Sequence, residues 1–323
     1  MAGVTEFGTT ASGKVVQKIT LDSGELTVCV LTKGATLQSV RLKGVAHDLT
    51  LGSDLLSDYE GKMRSFGALV APVVNRLSEA TAPIGGKPYE FEPNQSARHT
   101  LHSGSAGTHH KVWTLGAVTP TAATLSLDLP AGEGGFPGNR HLSATFSLTA
   151  TTLRLEVTAT TDALTLFNAA NHSYWNLDGT ETWAGHTLRV AADRYLPTTE
   201  DFTPTGQIAD VSGTDFDLRQ PRAISPGVNI YDTNFCLSQT RQPLREVLWL
   251  KGTSGLILTI ATTEPGIQVY DGRNAIRPGK VAYEGLAIEA QNWPDPPNHP
   301  GFPSIELAQG ETYSQITEWR FAR

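Results

Sequence analysis

The stretch HLSATFSLTATTLRLEVTATTD (141–162) decides the fold class. It reads as two long strands around Ala150, with Leu153, Leu155 and Val157 aligned on one face of the second. A period of two belongs to an extended chain, because successive side chains of a strand point to opposite faces. The same period recurs outward in both directions. GELTVCVLT (24–32) alternates Leu26, Val28 and Val30 with Thr27 and Cys29, and ATLSLDLP (123–130) sets Leu125, Leu127 and Leu129 together. GLILTIATTEPGIQVYDG (255–272) and YSQITEWRF (313–321) continue it, and abundant threonine suits a pleated surface. Helical periodicity is confined to SDLLSDYEGK (53–62), which predicts one short turn of helix.

Turn chemistry separates these runs: GGKP (85–88), GEGGFPGN (132–139), SPG (225–227), RPG (277–279) and PDPPNHPGFP (294–303). Short strands spaced by Gly/Pro breaks predict an all-β fold, a large antiparallel sandwich or barrel. Neither a linker nor a repeat divides the chain, so residues 1–323 are expected to form a single domain, with 1–14 a loose N-terminal segment. The chain carries 25 Lys+Arg against 32 Asp+Glu, a formal charge of −7, which argues against nucleic acid as a partner. No signal peptide or membrane-length apolar run is visible, and Cys29 and Cys236 form no CxxC pair. A soluble protein of a reducing compartment, expected in the cytoplasm, follows from that reading.

Several segments place polar groups inside apolar strand contexts: VVNRLSE (73–79), HTLHSGSAGTHHKVW (99–113), NAANHSYWNL (168–177), NIYDTNFCL (229–237) and AIEAQNWPD (287–295). In the last, alternation puts Leu286, Ile288 and Ala290 on one face and Ala287, Glu289 and Gln291 on the other. A carboxylate there is either on a solvated outer face or at the mouth of a polar pocket, since burying it unpaired is costly. His172 lies between Asn171 and the aromatic pair Tyr174 and Trp175. It is either a hydrogen-bonded core histidine or an acid working near neutral pH, beside aromatic and amide groups of the kind that bind sugars. His99, His102, His109 and His110 crowd together, yet their spacing gives no defined tetrahedral set, and no metal is expected. His102, where a strand meets a glycine turn, is the best functional candidate among them. GEGGFPGN lacks the features of a phosphate loop, and GSAG (104–107) misses the nucleophile-elbow pattern.

In order, NRL, LHSG…HKVW, GEGGFPGN, NHSYWNLDG, PTGQIADVSGTDFDLR, YDTNF, IQVYDG and EAQNWPDPPNHPGFPSIELAQGETYSQITEWRF resemble the aldose 1-epimerase family, from about residue 15 to the C-terminus. The resemblance implies a β-supersandwich, no cofactor, and interconversion of the α and β anomers of free aldoses such as galactose and glucose. It further implies a small monosaccharide as partner and a monomer or weak dimer. By matching positions Glu289 is similar to the family's general base and His172 to its general acid, with His102 the second pocket histidine. Asn75 and Arg76 resemble the pair that contacts sugar hydroxyls. Asp232 resembles the carboxylate that holds distal hydroxyls, and Gln268 a polar pocket residue.

Three departures stand out. APVVNR lacks the usual upstream Gly-Arg. His102-Ser103-Gly104 replaces His-Gly-Gly, and the GTHH that follows replaces Gly-Phe-Asp. Trp175 and Trp293 stand where Phe is common, a choice expected to tighten the aromatic walls of the pocket. Competing readings are a non-catalytic sugar sensor, a glycoside hydrolase using Asp232 and Glu289, and an epimerase of sugar phosphates with a basic rim.

Overall fold

A computed structural model describes residues 3–228 and 230–323; Asn229, which opens the 229–237 segment, lies outside them. The quoted stretch forms the paired strands Arg140–Thr149 and Thr152–Thr161, which turn at Ala150 (φ +49°). They sit in a nine-stranded sheet that also contains Ala122–Leu129, Ile257–Thr262 and, inserted between Thr152–Thr161 and Ile257–Thr262, the C-terminal strand Tyr313–Ala322. A four-stranded sheet (Gly3–Thr9, Val15–Asp22, Leu26–Leu31, Thr36–Leu42) and a six-stranded sheet complete the main layers. Strand pairing is antiparallel in all three. The expected helix is the short turn Leu56–Glu60.

The core is where the alternating faces meet. Leu125, Leu155 and Val157 of the nine-stranded sheet pack with Val28 and Val40 of the four-stranded sheet and with Phe235, Ile267, Val269, Leu286 and Ile288 of the six-stranded one. Burial of these apolar faces is the main force that holds the layers together. The family's β-supersandwich architecture is therefore present. GLILTIATTEPGIQVYDG is split: Ile257–Thr262 belongs to the large sheet and Gly266–Tyr270 to the six-stranded sheet.

Residues 3–9, within the segment expected to be loose, form a strand. Gly3–Thr9 pairs with Val15–Asp22, from Gly3 opposite Thr20 to Thr9 opposite Val15, as the edge of the four-stranded sheet. Its side chains are mostly exposed, apart from Phe7, whose ring lies edge-on to Tyr59 at 6.2 Å, and an alternation test does not detect such a strand.

Trp175 and Trp293 do not wall a pocket. Trp175 is fully buried in the main core, with ring centroids 6.0 Å from Trp319 and 5.8 Å from Phe321. Trp293 packs edge-on to Phe302 at 5.2 Å and donates its indole N–H to Pro265 O at 3.0 Å. Trp175→Phe is therefore expected to leave kcat/KM unaltered. Trp175→Ala should cost about 3–5 kcal/mol in denaturant unfolding, as large-to-small core changes do.

Candidate active site

The six-stranded sheet supplies the floor of the site. Its central strands are Leu286–Gln291, Gly266–Tyr270 and Asp232–Cys236. Since Ile288, Ile267, Val269 and Phe235 point into the core, Glu289, Gln268, Asn234 and Asp232 emerge on the opposite face. Register places Glu289 opposite Gln268, Gln268 opposite Asn234, and Asp232 opposite Tyr270. Glu289 is only 3% exposed, so its face is no solvated outer surface. Loops carrying Asn75, His102 and His172 cover it.

Glu289 and His172 meet directly, Oε1 to Nε2, at 3.6 Å. Burial pushes the Glu289 carboxyl up to about 8, helped by the charge of Asp232 and opposed by Arg76. Burial also pushes the His172 imidazole down to about 4. Desolvation thus wins over attraction between the two groups, and at neutral pH the pair holds one proton in all.

His102 approaches from the other side, its ring 5.3 Å from that of His172 and nearly perpendicular to it. The backbone N–H of Asn75 donates to His102 Nδ1 at 3.1 Å, and the His102 N–H donates back to Asn75 O at 2.9 Å. Burial, together with His172, His109 and Arg76, holds His102 well below the usual imidazole range. A neutral ring that accepts at Nδ1 must carry its proton on Nε2, so His102 is a hydrogen-bond donor.

The far end of the site is polar and charge-balanced. Arg76 Nη2 pairs with Asp232 Oδ2 at 3.2 Å, while Gln268 Nε2 donates to Asp232 Oδ1 at 2.6 Å. Arg76 is steadied by Gln95, which accepts from Nε at 2.9 Å, and by Asn75, whose Oδ1 accepts the Arg76 backbone N–H at 2.9 Å. Arg273 is tied to Asp271 at 2.9 Å, and the ring of Phe202 has the guanidinium carbons of Arg76 and Arg273 each 5.5 Å from its centroid. Gln95, Phe202, Arg273 and Tyr270 escaped the sequence reading. Only Tyr270 left a signal, two residues after Gln268 and so on its face.

All seven residues named from the resemblance thus converge: Asn75, Arg76, His102, His172, Asp232, Gln268 and Glu289. His109 stays beside the site, its ring 6.2 Å from that of His102. His99 accepts the Glu79 N–H at Nδ1 and faces Asp201 at 3.4 Å, and His109 stacks on His110. A separate cavity of about 740 Å³ lies by Gln38, Arg41, Asp48, Arg277 and Glu284, where Arg41 pairs with Asp48 at 2.8 Å and Arg277 with Glu284 at 2.8 Å.

The departures near the site prove to be joined. Ser103 adopts φ +63°, where glycine is easiest, and its hydroxyl accepts from Val73 N–H at 2.8 Å and donates to Val73 O at 2.9 Å. Thr108 likewise accepts the Ala71 N–H at 2.9 Å and donates to Leu69 O at 2.6 Å. The 103–108 loop is thereby stapled to the segment that leads into Asn75 and Arg76.

The buried imidazole–carboxyl couple lies beside amide, guanidinium and carboxylate groups, a set of donors and acceptors able to engage a polyhydroxylated molecule and exchange protons with it. Comparison with known proteins makes this specific. The family model described as aldose 1-epimerase matches residues 17–320, and the chain belongs to that family. It is 36% identical to galactose mutarotase from Mus musculus, with 98% of each chain covered. A solved aldose epimerase homologue from C. elegans superposes with a TM-score of 0.87 at 28% identity, covering 95% of this chain and 98% of that one. Galactose 1-epimerase from Lactobacillus acidophilus NCFM gives 0.87 at 26% identity, covering 100% of this chain and 98% of that chain. The activity is interconversion of aldose anomers.

Removing the Ser103 hydroxyl strands the buried Val73 N–H. Ser103→Ala is expected to destabilise the chain by about 1–3 kcal/mol, the usual cost of an orphaned buried donor. A melting temperature equal to that of the parent would show that the staple carries no weight.

Proposed function

We propose that the chain equilibrates the α and β forms of free aldoses such as galactose and glucose, with Glu289 and His172 exchanging the two protons that ring opening requires. The observation that carries this reading is the buried 3.6 Å contact between Glu289 Oε1 and His172 Nε2. Opening a pyranose removes a proton from the anomeric hydroxyl and delivers one to the ring oxygen. Closure on the other face of the aldehyde returns both, so the couple ends as it began. The form active for opening is carboxylate with imidazolium, and it has the same total proton count as the empty pair. A sugar hydroxyl that donates to Oε1 relieves part of the desolvation holding Glu289 protonated, and so favours that form. His102, with its proton on Nε2, donates a hydrogen bond beside the ring oxygen. Arg76, Asp232, Gln268 and Asn75 hold hydroxyls at the far end.

Free sugars suit this cleft better than sugar phosphates. Both arginines at its far end are neutralised, Arg76 by Asp232 and Arg273 by Asp271, which leaves little field for a phosphate. Asp232 is likewise held between Arg76 and Gln268, an engagement that suits orienting a substrate more than attacking one.

Polarimetry on freshly dissolved α-D-galactose and α-D-glucose tests the reaction. Glu289→Gln should lose about 10²–10⁴-fold in rate while sugar binding persists. Near-normal turnover by that variant would overturn the assignment of the base.

The pH profile of kcat/KM, corrected for the spontaneous rate, should be bell-shaped. Below about 4 both groups are protonated and no base remains; above about 8 both are deprotonated and no acid remains. A rate that stays level from about pH 6 to 10 would separate the couple from the reaction.

A further inference from the structure

The C-terminal strand Tyr313–Ala322 turns alternate side chains toward the core: Tyr313, Gln315, Thr317, Trp319 and Phe321. An amide at such an inner position costs free energy unless it is bonded, and Gln315 is 3% exposed. Its bonds lead to the reacting end of the site. Gln315 Nε2 donates to Ala290 O, next to Glu289, at 2.8 Å, and Gln315 Oε1 accepts from the Tyr313 hydroxyl at 3.0 Å. The same hydroxyl accepts from the backbone N–H of Ala169 at 3.4 Å, in the segment that runs on to His172.

The strand of Glu289 needs support of this kind. Leu286–Gln291 pairs with Gly266–Tyr270 along one side, but Tyr174–Trp175 on its other side reaches only Leu286 and Ala287. Farther along, that second edge is bonded by side chains, as buried backbone groups require. Gln315 takes Ala290, and Asn168 accepts the Asn292 N–H at 2.9 Å and donates to Asn292 O at 3.3 Å. Three pieces of chain thus meet in one buried junction: 168–172, 289–292 and 313–315.

Tyr313 is itself held. Its ring lies edge-on to Phe167 with centroids 4.6 Å apart, and the guanidinium carbon of Arg241 sits 4.1 Å over its face. Arg241 in turn donates to both carboxylate oxygens of the fully buried Glu264, at 2.7 and 3.3 Å. A buried network whose members are all bonded stiffens what it joins.

We propose that Tyr313 and Gln315 are positioning residues that set the spacing of Glu289 and His172. This rests on the reading that those two groups exchange protons with the sugar. The pair acts through the backbone: Gln315 clamps Ala290, Tyr313 clamps Ala169, and a hydrogen bond ties the clamps together. The 3.6 Å contact of the couple is a gap between the two segments so joined. Proton transfer is steep in distance, so play between them costs rate, while the groups around Asp232 still hold hydroxyls.

Tyr313→Phe removes the shared hydroxyl and keeps the ring under Arg241; Gln315→Met removes the amide and keeps its length. By polarimetry on α-D-galactose, well below the melting temperature, each should lower kcat about tenfold and leave KM within about twofold. Acting as one clamp, they should give a double variant about as slow as the slower single one, whereas separate effects would multiply to about a hundredfold. Crystal structures of the parent and of Gln315→Met should show the Glu289–His172 separation longer by about 0.5 Å or more in the variant. An unchanged kcat in both single variants, with only the melting temperature lowered, overturns the proposal, because the two residues would then serve stability alone. An unaltered separation, a parallel rise in KM or multiplied effects in the double variant overturn it as well. Absence of turnover by the wild type strikes instead at the assigned reaction, and the measured separation then decides the role of Tyr313 and Gln315.

Discussion

The site depends on the cost of placing a carboxyl group on an inner strand of a sheet, with a packed core on one side and loops on the other. Water cannot reach Glu289 freely, so its charged form is disfavoured and its proton is held far above the ordinary range. Asp232 and Arg76 push that proton in opposite directions, and because they are bonded to each other they act on Glu289 nearly as a neutral unit. Burial is left as the deciding influence. The same burial strips His172 of its proton. Two groups whose ordinary affinities favour carboxylate and a partly protonated imidazole are brought to a state in which their one proton rests on Glu289.

Much of the fold was legible because alternation is a local property. The strands around Ala150, the Leu125 run and the C-terminal strand all follow from a period of two, and the split of Leu286–Gln291 into a core face and a polar face was correct residue by residue. Whether the polar face looked at solvent could not be read there. The answer comes from loops around residues 75, 102 and 172, more than 100 positions away in the chain. The seven site residues came from ordered motifs rather than from periodicity, and the fold gathers all of them.

The aromatic readings failed for an instructive reason. In NHSYWNL the adjacent Tyr174 and Trp175 must point to opposite sides of a strand. Tyr174 lies 5.2 Å from the His172 ring, on the pocket side, and Trp175 takes the core. Alternation applied to that pair would have assigned one aromatic to each side. Phe202 left no such trace, since its position depends on a loop whose anchors, His99 and Arg98, sit in another segment. The substituted positions 103 and 108 also read as separate oddities along the chain. In space both bond to residues 69–73, so they form one coupled change that fixes the approach to Arg76.

The placement of Tyr313–Ala322 has a consequence for how the molecule comes into being. This strand lies inside the nine-stranded sheet and bonds to Thr152–Thr161 on one side and Ile257–Thr262 on the other. Until it emerges during synthesis, those neighbours are two separate edges with unpaired backbone groups, and the layers cannot close on a shared core. Contacts so distant in sequence form slowly, because chain entropy must be spent before they yield any gain. The nascent chain therefore waits, open and adhesive, for Tyr313–Ala322. Loss of that one segment splits the large sheet into halves instead of trimming an end.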